Sequence, residues 1–189
     1  MRRIIGIAGA PGAGKTTYAV ALAVREGGVH VPMDGFHLAD VTLARLGLLA
    51  RKGAPETFDA WGYAALLARL RDETDHTVYA PAFERDLEQP VAGAVAVPAE
   101  CTLVVTEGSY LLLERPEWRA VRGRLDEVWF VEEDEDLRRE RLLARHRRFG
   151  KTASEAEAWV ARVDEPNARL VAASRSRADR VVDLRRPRP

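Results

Sequence analysis

The chain has 189 residues, 47% of them hydrophobic, and its 29 Lys plus Arg are balanced by 29 Asp plus Glu. That length supports one well-buried domain with little left for a second, and zero formal net charge supplies no overall field for a nucleic-acid backbone or an anionic membrane, so neither partner is expected. Cys101 is the single cysteine, which excludes an intramolecular disulfide, argues against a thiol-zinc site and suits a reducing cytoplasm.

Ile4, Ile5 and Ile7 form a β-branched run that stops at Gly9, the pattern of a short buried strand entering a turn. The run is too short for a signal-peptide core and no later one reaches membrane-spanning length, so a cytoplasmic protein is expected. Gly9-Ala10-Pro11-Gly12-Ala13-Gly14-Lys15-Thr16 then fits the pattern G-x-x-x-x-G-K-[ST] without a mismatch and opens a helix predicted from Lys15 to Glu26. Strand, glycine-rich turn and helix start aim backbone N–H groups and the positive end of the helix dipole at one spot, which suits a nucleotide polyphosphate. Lys15 can reach the β- and γ-phosphates of ATP, the Thr16 hydroxyl can ligate Mg²⁺ between them, and Thr17 continues the first helical turn beside them.

Gly27-Gly28 stops this helix, and Val29 to Met33 reads as a second strand ending at Asp34-Gly35. The carboxyl ends of strands in an open α/β sheet are where ligands bind, so Asp34, followed by Phe36 and His37, is a candidate for work on a substrate; the competing reading is a turn aspartate capping a helix from Leu38 to Leu49. Arg51 to Asp59 breaks the helical pattern with Gly53 and Pro55 and sets Arg51 and Lys52 near Phe58, which reads as a binding loop. A scaffold helix capped by Asp59 follows from Trp61 to Thr74. Val78 to Phe83 and Val91 to Val97 are extended segments around a charged stretch, predicting a hairpin-like flap at about 78–98 in which Arg85 either meets a substrate or is a solvated loop residue.

Cys101 to Thr106 is another buried-strand pattern ending in Glu107-Gly108, which puts a second carboxylate at a strand end, either for Mg²⁺ and its water shell or as a surface residue. A strand from Leu125 to Val131 leads to a helix capped by Asp134 or Asp136 and closed by Gly150, with Arg138, Arg141, Arg145 and Arg148 on one face and Leu137, Leu142 and Leu143 on another. The stripe is either a solvated face or a clamp for transferring phosphates. Ala153 to Val163 reads as a helix capped by Thr152 or Ser154, Pro166-Asn167 opens another to about Ser174, Asp179 to Leu184 is a last strand, and the tail from Arg185 is expected to fray.

In this order the motifs resemble the small P-loop kinase family that includes uridine kinase, phosphoribulokinase and the bacterial type I pantothenate kinase. The resemblance spans nearly the whole chain and is carried by the phosphate loop, by Met33-Asp34-Gly35-Phe36-His37 and by Arg51 to Asp59. A bacterial branch of nucleoside-, nucleotide- or sugar-kinase-like proteins, fructose-transport-associated kinases among them, is similar in having the Asp-Gly-Phe-His block and an Asp-x-Pro-Asn block, here Asp164 to Asn167. The resemblance implies one α/β P-loop kinase domain over 1–189, with a central five-stranded parallel sheet flanked by helices and a helical lid at about 134–152. It implies that Asp34 is the general base for an acceptor hydroxyl, that Glu107 supports Mg²⁺ or substrate, and that Arg141 and Arg145 are lid arginines. His37, Arg51, Lys52, Phe58 and Arg85 fall on the acceptor side.

The expected activity is transfer of the ATP γ-phosphate to a hydroxyl of a small metabolite: a nucleoside, a pantothenate-like compound or a sugar such as fructose. A switch or assembly ATPase acting on a protein partner is the alternative that the phosphate loop alone permits.

Overall fold

Strands β1 (Arg3–Ala8) and β2 (Val29–Pro32) belong to a five-stranded sheet in a computed structural model that describes residues 2–185. Strands β3 (Val78–Glu84) and β4 (Gln89–Val97) form a separate antiparallel hairpin, and β5 (Leu103–Glu107), β6 (Glu127–Glu132) and β7 (Arg180–Asp183) complete the sheet in the order β2-β5-β1-β6-β7. Every pairing in the larger sheet is parallel. Both faces are covered, as near-continuous apolar strands require. Side chains alternate between them. Ile4, Val104, Val128 and Phe130 join one apolar cluster, while Ile5, Ile7, Val105, Trp129 and Val131 join another against Ala19, Leu22 and Ala23 of helix α1 (Lys15–Arg25). The fold is the α/β architecture that the order of motifs implies.

Helix α2 (Asp40–Arg45) is shorter than the predicted Leu38 to Leu49 element. Gly47, at φ +69°, ends it, and Leu49–Arg51 forms only a 3-10 turn. Ala39, not Asp34, occupies its N-cap position, and Asp34 lies in a 3-10 turn directly after β2, so the capping alternative for Asp34 fails. Helix α3 (Ala60–Asp72) is capped by Asp59, whose Oδ1 accepts from the Gly62 N–H at 2.8 Å. Helix α4 (Pro116–Arg122) precedes β6, and α5 (Glu135–Arg148) follows it with Asp134 as the cap.

The two helices expected after residue 152 are one continuous helical run. Helix α6 (Ala153–Trp159), opened by a Thr152–Glu155 capping box, passes through a π turn at Val160–Asp164 into α7 (Glu165–Ala172). Pro166 has no N–H to donate, and the widened π turn before it accommodates the missing bond without breaking the helix. The part of the tail expected to fray from Arg186 onward lies outside the described residues. Among the described residues, no helix is long and apolar enough to cross a membrane.

One staple was not legible in the sequence. The Arg2 side chain is 1% exposed and donates to the carbonyls of Leu70 and Cys101 at 2.9 Å, Glu73 at 2.6 Å and Pro98 at 2.7 Å. It ties the end of α3 to the segment between β4 and β5. Arg2→Met leaves these carbonyls without a donor and is expected to cost about 3 kcal/mol, lowering Tm by roughly 6–12 °C in a thermal melt. An unchanged Tm would show that the staple contributes nothing.

Candidate active site

The phosphate loop and Asp34 face one chamber of about 350 Å³, at the small end of the roughly 300–1,000 Å³ usual for small-molecule sites. Positive φ angles of 82° at Gly12 and 81° at Gly14 shape the loop. A Cβ on Gly12 would lie 2.7 Å from the Arg138 carbonyl, so glycine there also lets α5 pack directly on the loop. Pro11, Gly12, Gly14, Lys15, Thr16 and Thr17 line the chamber, whereas Ala13 is in the core and Gly9 and Ala10 complete the turn.

The Lys15 ammonium donates to the Ala10 carbonyl at 3.0 Å. Burial lowers its pKa, and the Glu107 and Asp34 carboxylates oppose that shift. Thr16 Oγ1 donates to Glu107 Oε1 at 3.1 Å. Glu107 is 3% exposed, and burial, reinforced by the Asp34 charge, pushes its pKa up to about 7. Thr16 and Glu107 are therefore two adjacent oxygen donors beside the loop.

Asp34 stands across from them. Burial would raise its pKa, but His37, Arg85, Lys15 and Arg145 together outweigh that and hold the carboxyl below its ordinary value. Arg85 reaches it from the hairpin, with Nη2 3.1 Å from Asp34 Oδ2. Gly35 makes this approach possible, because a Cβ there would lie 2.4 Å from the Pro81 carbonyl and hold β3 away.

On the acceptor side the His37 ring packs 4.0 Å from Phe58 and 4.9 Å from Phe83. Lys52 and Arg85 each lie 5.4 Å from the centre of the Phe83 ring. The Lys52 Nζ donates to Asp40 Oδ1 at 2.7 Å and to the Glu88 carbonyl at 2.5 Å. Arg51 is not brought into the chamber: it is exposed, with Nε donating to Glu56 Oε1 at 2.7 Å.

Burial pushes the His37 pKa down to about 4, against the attraction of Asp34. Between its ordinary value of 6.5 and about 4 the unfolded chain binds a proton that the folded one refuses, so stability is full above that window and falls as pH drops through it. We expect wild type to lose on the order of 1 kcal/mol more than His37→Gln between pH 7 and 4.5, after allowance for solvent screening. Parallel thermal-melt profiles for the two proteins would contradict this.

The arginine stripe on α5 is divided by its surroundings. Arg138 is 2% exposed, donates to the Pro11 carbonyl at 3.2 Å and pairs with Glu135 at 2.8 Å and Glu165 at 2.7 Å, so it anchors the helix to the loop. Leu137, expected on the apolar face, is exposed. Arg141 pairs with the buried Glu133 at 2.8 Å. Arg148 is exposed beside Phe149 and does not line the chamber. Arg145 lines it and forms no ion pair among the described residues; burial and the facing Arg85 lower its pKa. Phe83, Tyr110, His146, Trp159 and Asp164 also line the chamber; Phe83 lay in the predicted flap and Asp164 in the Asp-x-Pro-Asn block, but nothing in the sequence signalled that Tyr110, His146 and Trp159 converge with them.

No family model matches the chain. It is 37% identical over 121 residues to an ATP-dependent kinase-like protein, notR', of Aspergillus versicolor, covering 60% of this chain and 70% of that one. It is 34% identical to a candidate uridine kinase of Schizosaccharomyces pombe, covering 83% of this chain and 72% of that one. The crystal structure of a candidate fructose transport system kinase from Silicibacter sp. TM1040 superposes with a TM-score of 0.87 at 37% identity, over 96% of this chain and 89% of that one. Shared sequence over most of each partner, on a common fold with an intact phosphate loop, identifies the chain as a member of the P-loop kinase family, a family of phosphotransferases.

Proposed function

We propose that the chain transfers the γ-phosphoryl group of ATP to a hydroxyl of a small metabolite, such as a nucleoside, a pantothenate-like compound or a sugar such as fructose. The observation that carries this reading is the single chamber bounded by the phosphate loop on one side and by Asp34, held by Arg85, on the other. A nucleotide switch has no need of the second half.

The triphosphate of ATP rests on the loop N–H groups and on Lys15, and the acceptor enters past Lys52, Phe58 and Phe83. Thr16 Oγ1 and Glu107 Oε1, 3.1 Å apart, would hold a Mg²⁺ ion, which commonly takes one or two protein oxygens with phosphates and waters completing its shell. When bound, Mg²⁺ neutralises charge on the phosphates. Asp34, kept ionised, accepts the hydroxyl proton as the acceptor oxygen forms its bond to the γ-phosphorus and the bond to the β-phosphate oxygen breaks, releasing ADP. Arg145 offers its unpaired charge to the transferring group.

The lid at about 134–152 moves about the anchored Arg138, so its mobile part is the end that carries Arg145 and Lys151, while the hairpin at about 78–98 acts as the acceptor-side flap. Closure excludes water, which would otherwise take the phosphoryl group. The test is ADP release from MgATP, alone and with nucleosides, pantothenate and sugars, with Lys15→Ala as control. Stimulation by one compound, absent in the control, supports the kinase reading. Turnover indifferent to every compound but raised by a protein partner favours the ATPase.

A further inference from the structure

The chamber holds a carboxylate for which phosphoryl transfer as described has no use. Asp164 is 7% exposed, ends the π turn at Val160–Asp164 and lines the chamber. π turns are rare and recur at functional sites. One oxygen, Oδ2, lies 2.7 Å from His146 Nε2 on α5, which fixes the carboxylate's direction. Asn167, one turn further along, is also buried, and its Nδ2 is 3.4 Å from the Gly53 carbonyl, so this segment is held against the loop that carries Lys52 and Phe58.

The charges around the chamber narrow the chemistry of what Asp164 meets. Lys52 is paired with Asp40, Arg85 with Asp34 and Arg141 with Glu133. Lys151 is drawn over the Trp159 ring, 4.7 Å from its centre. On the kinase reading Arg145 goes to the phosphoryl group, and the Asp164 charge already acts on it. An anionic acceptor would have to break one of these pairs and then share the chamber with the Asp164 carboxylate, whereas a neutral compound with several hydroxyls costs neither. A carboxylate accepts hydroxyl hydrogens on both oxygens, and the His37, Phe58 and Phe83 rings offer apolar faces to the C–H side of such a molecule.

We infer that Asp164, oriented by His146, binds hydroxyl groups of an uncharged, polyhydroxylated acceptor at a distance from the reacting oxygen. This rests on the kinase reading above. The experiment compares matched acceptors with MgATP: glycerol against glycerate, ribose against ribose 5-phosphate, and fructose against fructose 6-phosphate. The expected result is a kcat/KM at least about tenfold higher for an uncharged member than for its anionic counterpart. Asp164→Asn should raise KM for that compound about tenfold or more, while KM for ATP stays within about twofold. Should Asp164→Asn fail to fold, the wild-type preference still decides the acceptor class, and His146→Gln, which removes only the orienting contact, should raise the same KM. Preference for the anionic members, or an acceptor KM unmoved by both substitutions, overturns the assignment and leaves the kinase reading intact. ATP turnover indifferent to every compound removes both.

Discussion

Replacing Asp34 by Asn is expected to lower turnover by about 10²–10⁴, the usual contribution of a positioned general base, while KM for ATP changes little. Asparagine keeps the shape and can still accept from Arg85, so what is lost is the negative charge that takes the hydroxyl proton. The surroundings make this a large effect. The cations around Asp34 hold its pKa down although burial opposes them, so the carboxylate is ionised throughout the neutral range. Steady-state kinetics in ATP and in acceptor, with a thermal melt of each protein, checks the prediction. Collapse of ATP affinity with turnover otherwise intact would instead make Asp34 a metal-binding or structural residue.

Arg145→Ala is expected to lower turnover by about 10²–10³, because a preorganised cation aimed at developing charge is among the larger single contributions to phosphoryl transfer. Its neighbours on α5 supply internal controls. Arg141 already pairs with the buried Glu133, so Arg141→Ala should cost less in turnover than Arg145→Ala. Arg138 is buried among Glu135, Glu165 and the Pro11 carbonyl, so its loss should appear first in Tm. No kinetic loss at Arg145 would return that residue to a solvated role, and equal losses at the three positions would contradict the division of the stripe.

The parts of this site that could be read from the sequence are those made locally. Strand, phosphate loop and helix are consecutive, and each constrains the next through backbone geometry, so Gly9 to Thr16 declared their structure directly. Asp34 and Glu107 were visible because each follows an apolar run and precedes a glycine, which marks a strand end. What could not be read depends on packing between distant segments. Arg138 belongs by helical period to the cationic stripe, yet Glu165, 27 residues away, draws it inside. Arg51 and Lys52 are adjacent in sequence, but one spends its charge on Glu56 outside the chamber and the other borders it. The pairing of His146 with Asp164 depends on how the π turn carries a helix back across α5, and Pro166-Asn167, read as the start of a new helix, predicted a break there.

On the kinase reading the phosphoryl group reaches a hydroxyl acceptor rather than water. The measurement that tests it most directly is stoichiometric: ADP, inorganic phosphate and acceptor phosphomonoester counted in one reaction with MgATP and the most stimulating compound of the panel, with Lys15→Ala in parallel. A kinase yields one phosphomonoester per ADP, little inorganic phosphate, and no product from the variant. One inorganic phosphate per ADP, with the compound recovered unchanged, would contradict it and make the protein an ATPase.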